Sequence, residues 1–186
     1  MIVVLLGPPG VGKGTQAERA AARFGWRHLS TGELLRDEVV RGTPLGQQAN
    51  VYMLRGELVP DAVMVDMVAE ALANVPEDAM VLLDGFPRTL PQAQALAAKA
   101  PGGGIRLALY FHAPDAVLVQ RLLGRGRPDD TQEVVERRLA VYRQNTEPLV
   151  AHYRNLGMLR PIQADRPVDA IQNEMTAILQ EALVAR

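Results

Sequence analysis

The chain of 186 residues contains no cysteine, only two lysines beside eighteen arginines, and only 4% aromatic residues. The lack of cysteine excludes disulfides, thiolate nucleophiles and zinc sites with cysteine ligands. The net charge of −1 at pH 7 gives no reason to expect a nucleic acid or a membrane surface as a partner. Any site for an anion must therefore be a local concentration of positive charge.

A long apolar segment is also missing, since no stretch approaches the roughly 20 residues that a membrane-spanning helix needs. The apolar run at 2–6 ends at a glycine and follows no basic segment, so it predicts a buried strand and not a signal peptide. We therefore expect a cytoplasmic protein. The length suits one α/β domain, 1–186, that buries about 70% of the surface of its unfolded chain.

Short apolar runs alternate with longer amphipathic stretches, a pattern typical of a parallel sheet covered by helices. Five runs predict strands buried on both faces, at 2–6, 26–29, 80–84, 107–112 and 159–163. Helices are predicted at 13–24, 32–41, 60–72, 90–98, 114–123, 131–155 (as a pair) and 167–184, and a turn at 101–104. The predicted fold class is α/β, with a five-stranded parallel sheet between two helical layers.

The most informative segment is Gly-Pro-Pro-Gly-Val-Gly-Lys-Gly-Thr at 7–15, which follows the first strand and precedes a helix. Glycines in such a loop allow the backbone N–H groups to surround a triphosphate, and Lys13 reaches its β- and γ-phosphates. The loop departs from the commonest pattern, because position 14 is glycine and the hydroxyl comes one residue later, at Thr15. A glycine-rich turn without a ligand is the alternative. A phosphate loop in this position predicts a P-loop NTPase-type fold with three α/β/α layers.

Two segments interrupt the alternation of strands and helices. The first, 30–59, contains helical stretches broken at 42–44 and at 56. The second, 124–137, begins with a stretch rich in glycine and arginine, in which Asp129 and Asp130 are expected to cap the next helix. Ligands of an open α/β sheet bind outside the carboxyl ends of the strands, where both segments start. We therefore interpret the two segments as small mobile lids over the phosphate site.

Asp84 follows the third predicted strand, so we expect it beside the phosphate loop. There, Asp84 and Thr15 can hold Mg²⁺ through water molecules, because this ion keeps several waters and needs few carboxylates. A turn in which Asp84 caps a helix is the alternative. Arginines recur around this position: Arg36, Arg88, Arg121, Arg125, Arg127 and Arg138. Each alone could be a solvated side chain, but together they favour an anion site.

No general base is apparent, since His28, His112 and His152 have no matching partner in the sequence. Phosphoryl transfer to an alcohol commonly uses an aspartate that accepts the hydroxyl proton. A phosphate acceptor is already an anion and needs only positioning and charge neutralisation. Two phosphate-bearing substrates therefore fit a chain with many arginines and no base.

Five segments in this order resemble the adenylate kinase family. They are the loop 7–15, Leu-Ser-Thr-Gly-Glu-Leu-Leu-Arg at 29–36, Gly-Glu-Leu-Val-Pro at 56–60, Asp-Gly-Phe-Pro-Arg-Thr-Leu-Pro-Gln-Ala at 84–93 and Gly-Arg-Pro-Asp-Asp at 126–130. The resemblance covers essentially the whole chain. It implies a nucleoside-monophosphate kinase that transfers the γ-phosphoryl group of MgATP to AMP, giving two ADP, in adenine nucleotide balance and biosynthesis.

The resemblance also implies residue roles, position by position. The ATP-binding residues are expected to be Gly10, Val11, Gly12, Lys13, Gly14, Thr15, Arg121, Arg125 and Arg166. The AMP-binding residues are expected to be Thr31, Arg36, Glu57, Leu58, Val59, Gly85, Phe86, Pro87, Arg88, Gln92, Arg127 and Arg138. The catalytic residues are expected to be Lys13, Asp84, Arg88, Arg127 and Arg138.

The second lid has no cysteine and is short, so the chain resembles the short-lid form of the family, without zinc. UMP/CMP kinases share the fold and are the alternative, although Thr31 and Gln92 resemble the adenine-reading choices. A GTPase switch would show Asp-x-x-Gly after a strand and Asn-Lys-x-Asp for guanine, and the chain has neither motif. A shikimate-type kinase would need an acidic base and a hydroxyl at position 14, where this chain has glycine. A non-catalytic nucleotide-binding module would not need the arginines. The expected partners are ATP, AMP and ADP, with no nucleic acid or membrane, and the expected state is a monomer.

Overall fold

The computed structural model describes residues 1–76, 78–100 and 104–184, so the predicted turn at 101–104 lies outside the described residues except for Gly104. The elements in chain order are β1 (Ile2–Leu6), α1 (Lys13–Phe24), β2 (Arg27–Ser30), α2 (Thr31–Val40), α3 (Pro44–Arg55), α4 (Asp61–Ala73), β3 (Val81–Asp84), α5 (Leu90–Lys99), β4 (Ile105–His112), α6 (Asp115–Gly124), α7 (Gln132–Val141), α8 (Pro148–Asn155), β5 (Leu159–Gln163) and α9 (Val168–Val184). Residues Tyr142–Thr146, between α7 and α8, form a π-helical turn.

The five strands form one parallel sheet in the order β2-β3-β1-β4-β5. All of β1 is buried, as are the three apolar residues of β3. The outer strands β2 and β5 expose Arg27 and Arg160. The prediction that every strand is buried on both faces is therefore wrong for β2 and β5, because an edge strand has a neighbour on one side only.

Two helical layers cover the sheet, and each face has its own hydrophobic core. Val4 packs into the core that includes residues of α4, α5 and α8, among them Val68. Leu5 packs into the opposite core, which includes residues of α1, α6, α7 and α9, among them Leu118. Successive strand residues point to opposite faces, so neighbours along β1 enter different cores. This arrangement confirms the predicted α/β fold with a central five-stranded parallel sheet.

The register of the sheet brings distant segments together at the carboxyl ends of the strands. Asp84, the last residue of β3, lies level with Leu5 of β1 and with Ser30 of β2. The loop 7–15 starts just after β1, and α2 starts just after β2. The carboxyl ends of β1, β2 and β3 therefore meet where ligands of open α/β sheets bind.

The predicted helix ends differ from the observed ends by at most one residue, except in the region 131–155. There α7 ends at Val141, and α8 begins at Pro148 after the π-helical turn. Proline lacks the N–H group that would continue the hydrogen-bond ladder of a helix, so it favours the first turn of a new one. None of the helices in the described ranges has the length and apolar character needed to cross a bilayer.

A close helix contact at Gly46 gives a first prediction. A Cβ atom at this position in α3 would lie 2.0 Å from the backbone oxygen of Glu38 in α2. We expect Gly46→Ala to lower the free energy of unfolding by about 1–3 kcal/mol, because the two helices must separate to admit the methyl group. Thermal or urea unfolding measures this loss. Gly124→Ala is the matched control, since a Cβ at Gly124 meets no atom within 4 Å; an equal loss in both variants would contradict the account.

Candidate active site

A cavity of about 540 Å³ opens at the carboxyl edge of the sheet. Its volume falls in the range of small-molecule binding sites. The predicted site residues that line it are Gly10, Val11, Gly12, Lys13, Gly14, Thr15, Thr31, Arg36, Glu57, Leu58, Val59, Asp84, Gly85, Pro87, Arg88, Gln92, Arg121, Arg125, Arg127 and Arg138. The fold thus gathers into one cavity residues that are more than 100 positions apart in the sequence.

The loop 7–15 has a backbone that only glycine adopts readily. Gly10 and Gly12 have φ angles of 81° and 98°, in the left-handed region. A Cβ at Gly10 would also lie 2.7 Å from a side-chain carbon of Leu122. Gly12 stands at the N-terminus of α1, where no side chain caps the helix and the first turn has no acidic residue. The positive end of the helix dipole is therefore presented to the cavity, as a phosphate site requires.

Lys13 is held along this loop by its own backbone. Its Nζ atom donates hydrogen bonds to the carbonyl oxygens of Gly7, at 2.8 Å, and Pro8, at 3.1 Å. The pKa of Lys13 is lowered to about 8, chiefly by burial and also by the charges of Arg88 and Arg125, while Asp84 raises it. The positive charges around the loop therefore repel one another, and an anion placed among them would be stabilised.

Asp84 faces the loop from the end of β3. Its Oδ2 atom would lie 3.5 Å from a Cβ placed on Gly14. Burial alone would raise the pKa of Asp84, but the adjacent His28 imidazole and the charges of Lys13 and Arg88 lower it. The carboxylate is therefore charged at neutral pH. His28 Nε2 lies 3.8 Å from Asp84 Oδ2, so the view that this histidine has no partner is wrong; β2 and β3 are adjacent in the sheet, which the sequence did not reveal.

A second group of charges lies between α6 and α7. Asp130 accepts two hydrogen bonds from Arg125, at 2.8 and 2.5 Å, and one from Arg138, at 3.0 Å. Arg138 also forms an ion pair with Asp129. The backbone N–H of Arg127 donates to Asp130 at 3.2 Å. The two aspartates thus hold the arginines at the cavity.

The expectation that Asp129 and Asp130 cap a helix is wrong. The residue that caps α7 is Thr131, whose hydroxyl accepts a hydrogen bond from the Val134 N–H at 3.4 Å. The aspartates bind arginines because a buried guanidinium needs carboxylate partners. Burial and the neighbouring arginines lower the pKa of Arg138 to about 10. The short spacing in the sequence between Arg125, Asp130 and Arg138 could have indicated that the aspartate pairs with the arginines.

Two buried, uncharged polar side chains, Thr31 and Gln92, also line the cavity. Thr31 is fully buried, and its hydroxyl donates to the backbone oxygen of Asp84 at 3.3 Å. The side-chain amide of Gln92 is also buried, and its oxygen accepts a hydrogen bond from the Arg88 N–H at 2.7 Å. The Thr146 hydroxyl, from the π-helical turn, donates to the Arg88 backbone oxygen at 2.9 Å. Arg88 is therefore fixed at both of its backbone polar groups.

A family model described as adenylate kinase matches residues 5–158. This range contains the whole loop 7–15, Asp84, both aspartates of the second group and six of the predicted site arginines. The chain belongs to the adenylate kinase family.

Individual adenylate kinases match nearly the whole chain. That of Parasynechococcus marenigrum is 47% identical over 182 residues, covering 95% of this chain and 97% of the relative. That of Thermus thermophilus is 45% identical over 183 residues, covering 95% and 96%. That of Mycobacteroides abscessus is 48% identical over 173 residues, covering 92% and 94%. These matches confirm the predicted family and support an adenylate kinase over the UMP/CMP kinase alternative.

Two residues assigned by resemblance to adenylate kinases do not line the cavity described here. Phe86 is buried in the core formed by β1, β3 and α4, beneath the segment that carries Arg88. The side chain of Arg166 donates to the Gln163 backbone oxygen at 3.0 Å and forms an ion pair with Glu174 in α9. Their nucleotide-binding roles stay predictions.

The adenylate kinase resemblance implies Mg²⁺, and the residues present fit this ion. Thr15 and Asp84 both line the cavity, and they supply a hydroxyl and a charged carboxylate, which are hard oxygen ligands. The described residues include no group of three histidine or acidic side chains that could hold a metal by themselves, and the chain has no cysteine. An ion here would therefore depend on water and substrate oxygens for most of its ligands.

The second group of charges, between α6 and α7, gives a pH prediction. Burial would raise the pKa of Asp130, but Arg125 and the Arg127 N–H lower it below its ordinary value of 3.8. The folded chain then binds fewer protons than the unfolded chain in the window just below about pH 4, so stability falls as the pH falls through that window. We expect the melting temperature of the wild type to exceed that of Asp130→Asn at about pH 6 and the gap to shrink toward about pH 3. A gap that is the same at every pH would contradict the assignment.

Proposed function

We propose that this enzyme catalyses the reversible transfer of the γ-phosphoryl group of ATP to AMP, giving two ADP, and serves adenine nucleotide balance and biosynthesis. The proposal is carried by a single cavity that is lined by three different groups of residues. They are the loop 7–15, a set of arginines, and the buried polar pair Thr31 and Gln92.

The ATP phosphates bind to the loop. The backbone N–H groups at 10–15 and the Lys13 ammonium neutralise the β- and γ-oxygens, and the N-terminus of α1 adds its dipole. Arg121 donates to the Val11 backbone oxygen at 3.3 Å, which places its guanidinium beside the loop. We assign Arg121 and Arg125 to ATP, and Arg166 to the packing of a backbone group on the ATP base.

AMP binds beside Thr31 and Gln92. Its base lies against Thr31, Gln92 and the backbone at 57–59, and its phosphate meets Arg36 and Arg88. The segment 85–88 forms the wall of this pocket, because Gly85 has a φ of 83° and a Cβ there would lie 2.5 Å from the Thr31 hydroxyl. A side chain at position 85 would therefore displace the Thr31 hydroxyl from the pocket.

Transfer proceeds in line between the two phosphates. Arg88, Arg127 and Arg138 hold the transferring group and the acceptor phosphate, and their charge stabilises the transition state. The acceptor is an anion, so no side chain has to remove a proton. Thr15 and Asp84 would hold Mg²⁺ through water molecules, and the bound ion would neutralise charge on the transferring phosphates.

We also propose that the segments 30–59 and 124–137 are an AMP lid and a short ATP lid. Water is always present as a competing acceptor, so a set of arginines that is complete only with both nucleotides bound limits ATP hydrolysis. We further propose that the enzyme acts as a monomer.

Formation of ADP from ATP and a second substrate tests the proposed function. AMP, CMP, UMP and shikimate are supplied in parallel, each with Mg²⁺ and with EDTA. We expect rapid ADP formation with AMP and Mg²⁺, and loss of most activity in EDTA. No turnover with AMP would refute the proposal, and faster turnover with CMP or UMP would favour the pyrimidine kinase.

A further inference from the structure

The side-chain amide of Gln92 has only one orientation that satisfies its neighbours. Its oxygen accepts the Arg88 N–H at 2.7 Å, and its nitrogen donates to Asp61 Oδ1 at 2.8 Å. A backbone N–H can only donate, and a carboxylate can only accept. Rotating the amide by 180° would place two donors together and two acceptors together, so both contacts would be lost.

Asp61 is itself held in place. It is the first residue of α4, where the positive end of the helix dipole favours a carboxylate. Its second oxygen accepts a hydrogen bond from the Thr89 hydroxyl at 3.0 Å, and the same hydroxyl caps α5 by accepting the Gln92 N–H at 3.3 Å. Asp61, Thr89 and Gln92 therefore form a closed ring that joins the first turns of two helices.

The ring fixes what Gln92 presents to a ligand. The amide nitrogen has one N–H left after Asp61, and the amide oxygen has one lone pair left after Arg88. Gln92 lines the cavity, and in the proposed function these two groups face the acceptor base. A 6-aminopurine offers an exocyclic N–H donor beside the N1 acceptor, whereas a 6-oxopurine offers an O6 acceptor beside an N1–H donor. A fixed amide can match only one of these edges.

We propose that Asp61 is a positioning residue that sets the base selectivity of the acceptor site by locking the Gln92 amide in one orientation. The inference rests on the proposed function, in which Gln92 contacts the acceptor base and the acceptor phosphate is anchored among arginines. Because that anchor prevents the base from turning over, the locked amide selects a 6-aminopurine over a 6-oxopurine. Asp61 acts through Gln92 and does not contact the phosphates.

The test compares AMP with IMP, which differ at the 6-position, as acceptors at saturating MgATP. Asp61→Asn keeps the shape of the side chain but can either donate to or accept from Gln92, and Asp61→Ala removes the contact. We expect the AMP:IMP ratio of kcat/KM to fall at least about fivefold in Asp61→Asn and about tenfold or more in Asp61→Ala. The KM for AMP should rise, while kcat at saturating AMP and the KM for ATP stay within about threefold.

Two controls separate selectivity from folding. Asp66→Asn changes another acidic residue of α4, whose side chain is 82% exposed, and should leave the ratio within about twofold of wild type. In a Gln92→Ala background, Asp61→Asn should also change the ratio by less than about twofold, because its effect passes through Gln92. Thermal melts identify any variant that does not fold, and Asp61→Asn decides the comparison if Asp61→Ala is lost.

The outcomes are distinguishable. A wild type that turns over AMP, together with an unchanged AMP:IMP ratio in folded Asp61→Asn, overturns the inference and leaves the proposed function standing. An equal fall of the ratio in the Gln92→Ala background also overturns it, because Asp61 would then act by another route. A wild type that does not use AMP overturns the proposed function and the inference together.

Discussion

Replacing Lys13 by methionine is expected to lower kcat by a factor of about 10³ or more, while the protein remains folded. The Lys13 ammonium is the side-chain cation of the loop 7–15, and hydrogen bonds to Gly7 and Pro8 keep it there. Methionine has a similar length but no charge, so the β- and γ-oxygens of ATP lose a neutralising group in the transition state. Steady-state rates at saturating ATP and AMP measure the loss, and calorimetry checks the fold.

The only other lysine in the sequence is a matched control. Lys99 is about half exposed, and its Nζ lies 3.8 Å from a carboxylate oxygen of Asp66. Exposed ion pairs of this kind contribute little, so Lys99→Met should retain kcat within about twofold. If Lys13→Met kept more than about a tenth of the wild-type kcat, its assigned role would be wrong.

Replacing Arg138 by alanine is expected to lower kcat by about 10²–10³. Arg138 is mostly buried, and both Asp129 and Asp130 bind its guanidinium at the cavity. Burial and the neighbouring arginines lower the pKa of Arg138 to about 10, so an anion bound beside it would stabilise its charge. Arg138→Lys keeps a charge but loses the planar fork, and it should recover only part of the activity. Rates at saturating substrates measure both variants.

Arg143→Ala is the control for Arg138→Ala. Arg143 follows one turn later, in the π-helical turn, and forms an exposed ion pair with Asp115. We expect its kcat to stay within about twofold of wild type. Equal losses in Arg138→Ala and Arg143→Ala would mean that the region is needed for folding and that Arg138 has no special part in transfer.

Local sequence patterns predicted most of the fold and much of the cavity. The glycines of 7–15 specify a backbone that other residues resist, so this loop was predictable without a structure. Asp84 was predictable because strands of a parallel sheet end at the same edge, which needs only strand boundaries and direction. The arginines were predictable as a group, since they follow a strand end or lie in or next to the segments that interrupt the pattern.

Pairwise contacts between distant residues were not predictable in the same way. Asp130 was expected to cap a helix because its position before α7 fits that role, but burial with Arg125 and Arg138 decides its partner. His28 meets Asp84 only because β2 is the neighbour of β3, and strand order is not a local property. Asp61 binds Gln92 for a similar reason, because the first turns of α4 and α5 lie side by side.

An isotopic label distinguishes transfer of the γ-phosphoryl group to AMP from transfer to water or to a pyrimidine nucleotide. The enzyme is supplied with ATP labelled in the γ-phosphate, together with Mg²⁺ and an equimolar mixture of AMP, CMP and UMP. We expect the label to appear in the β-phosphate of ADP, with little in free phosphate. Label that accumulates in free phosphate, CDP or UDP would contradict it.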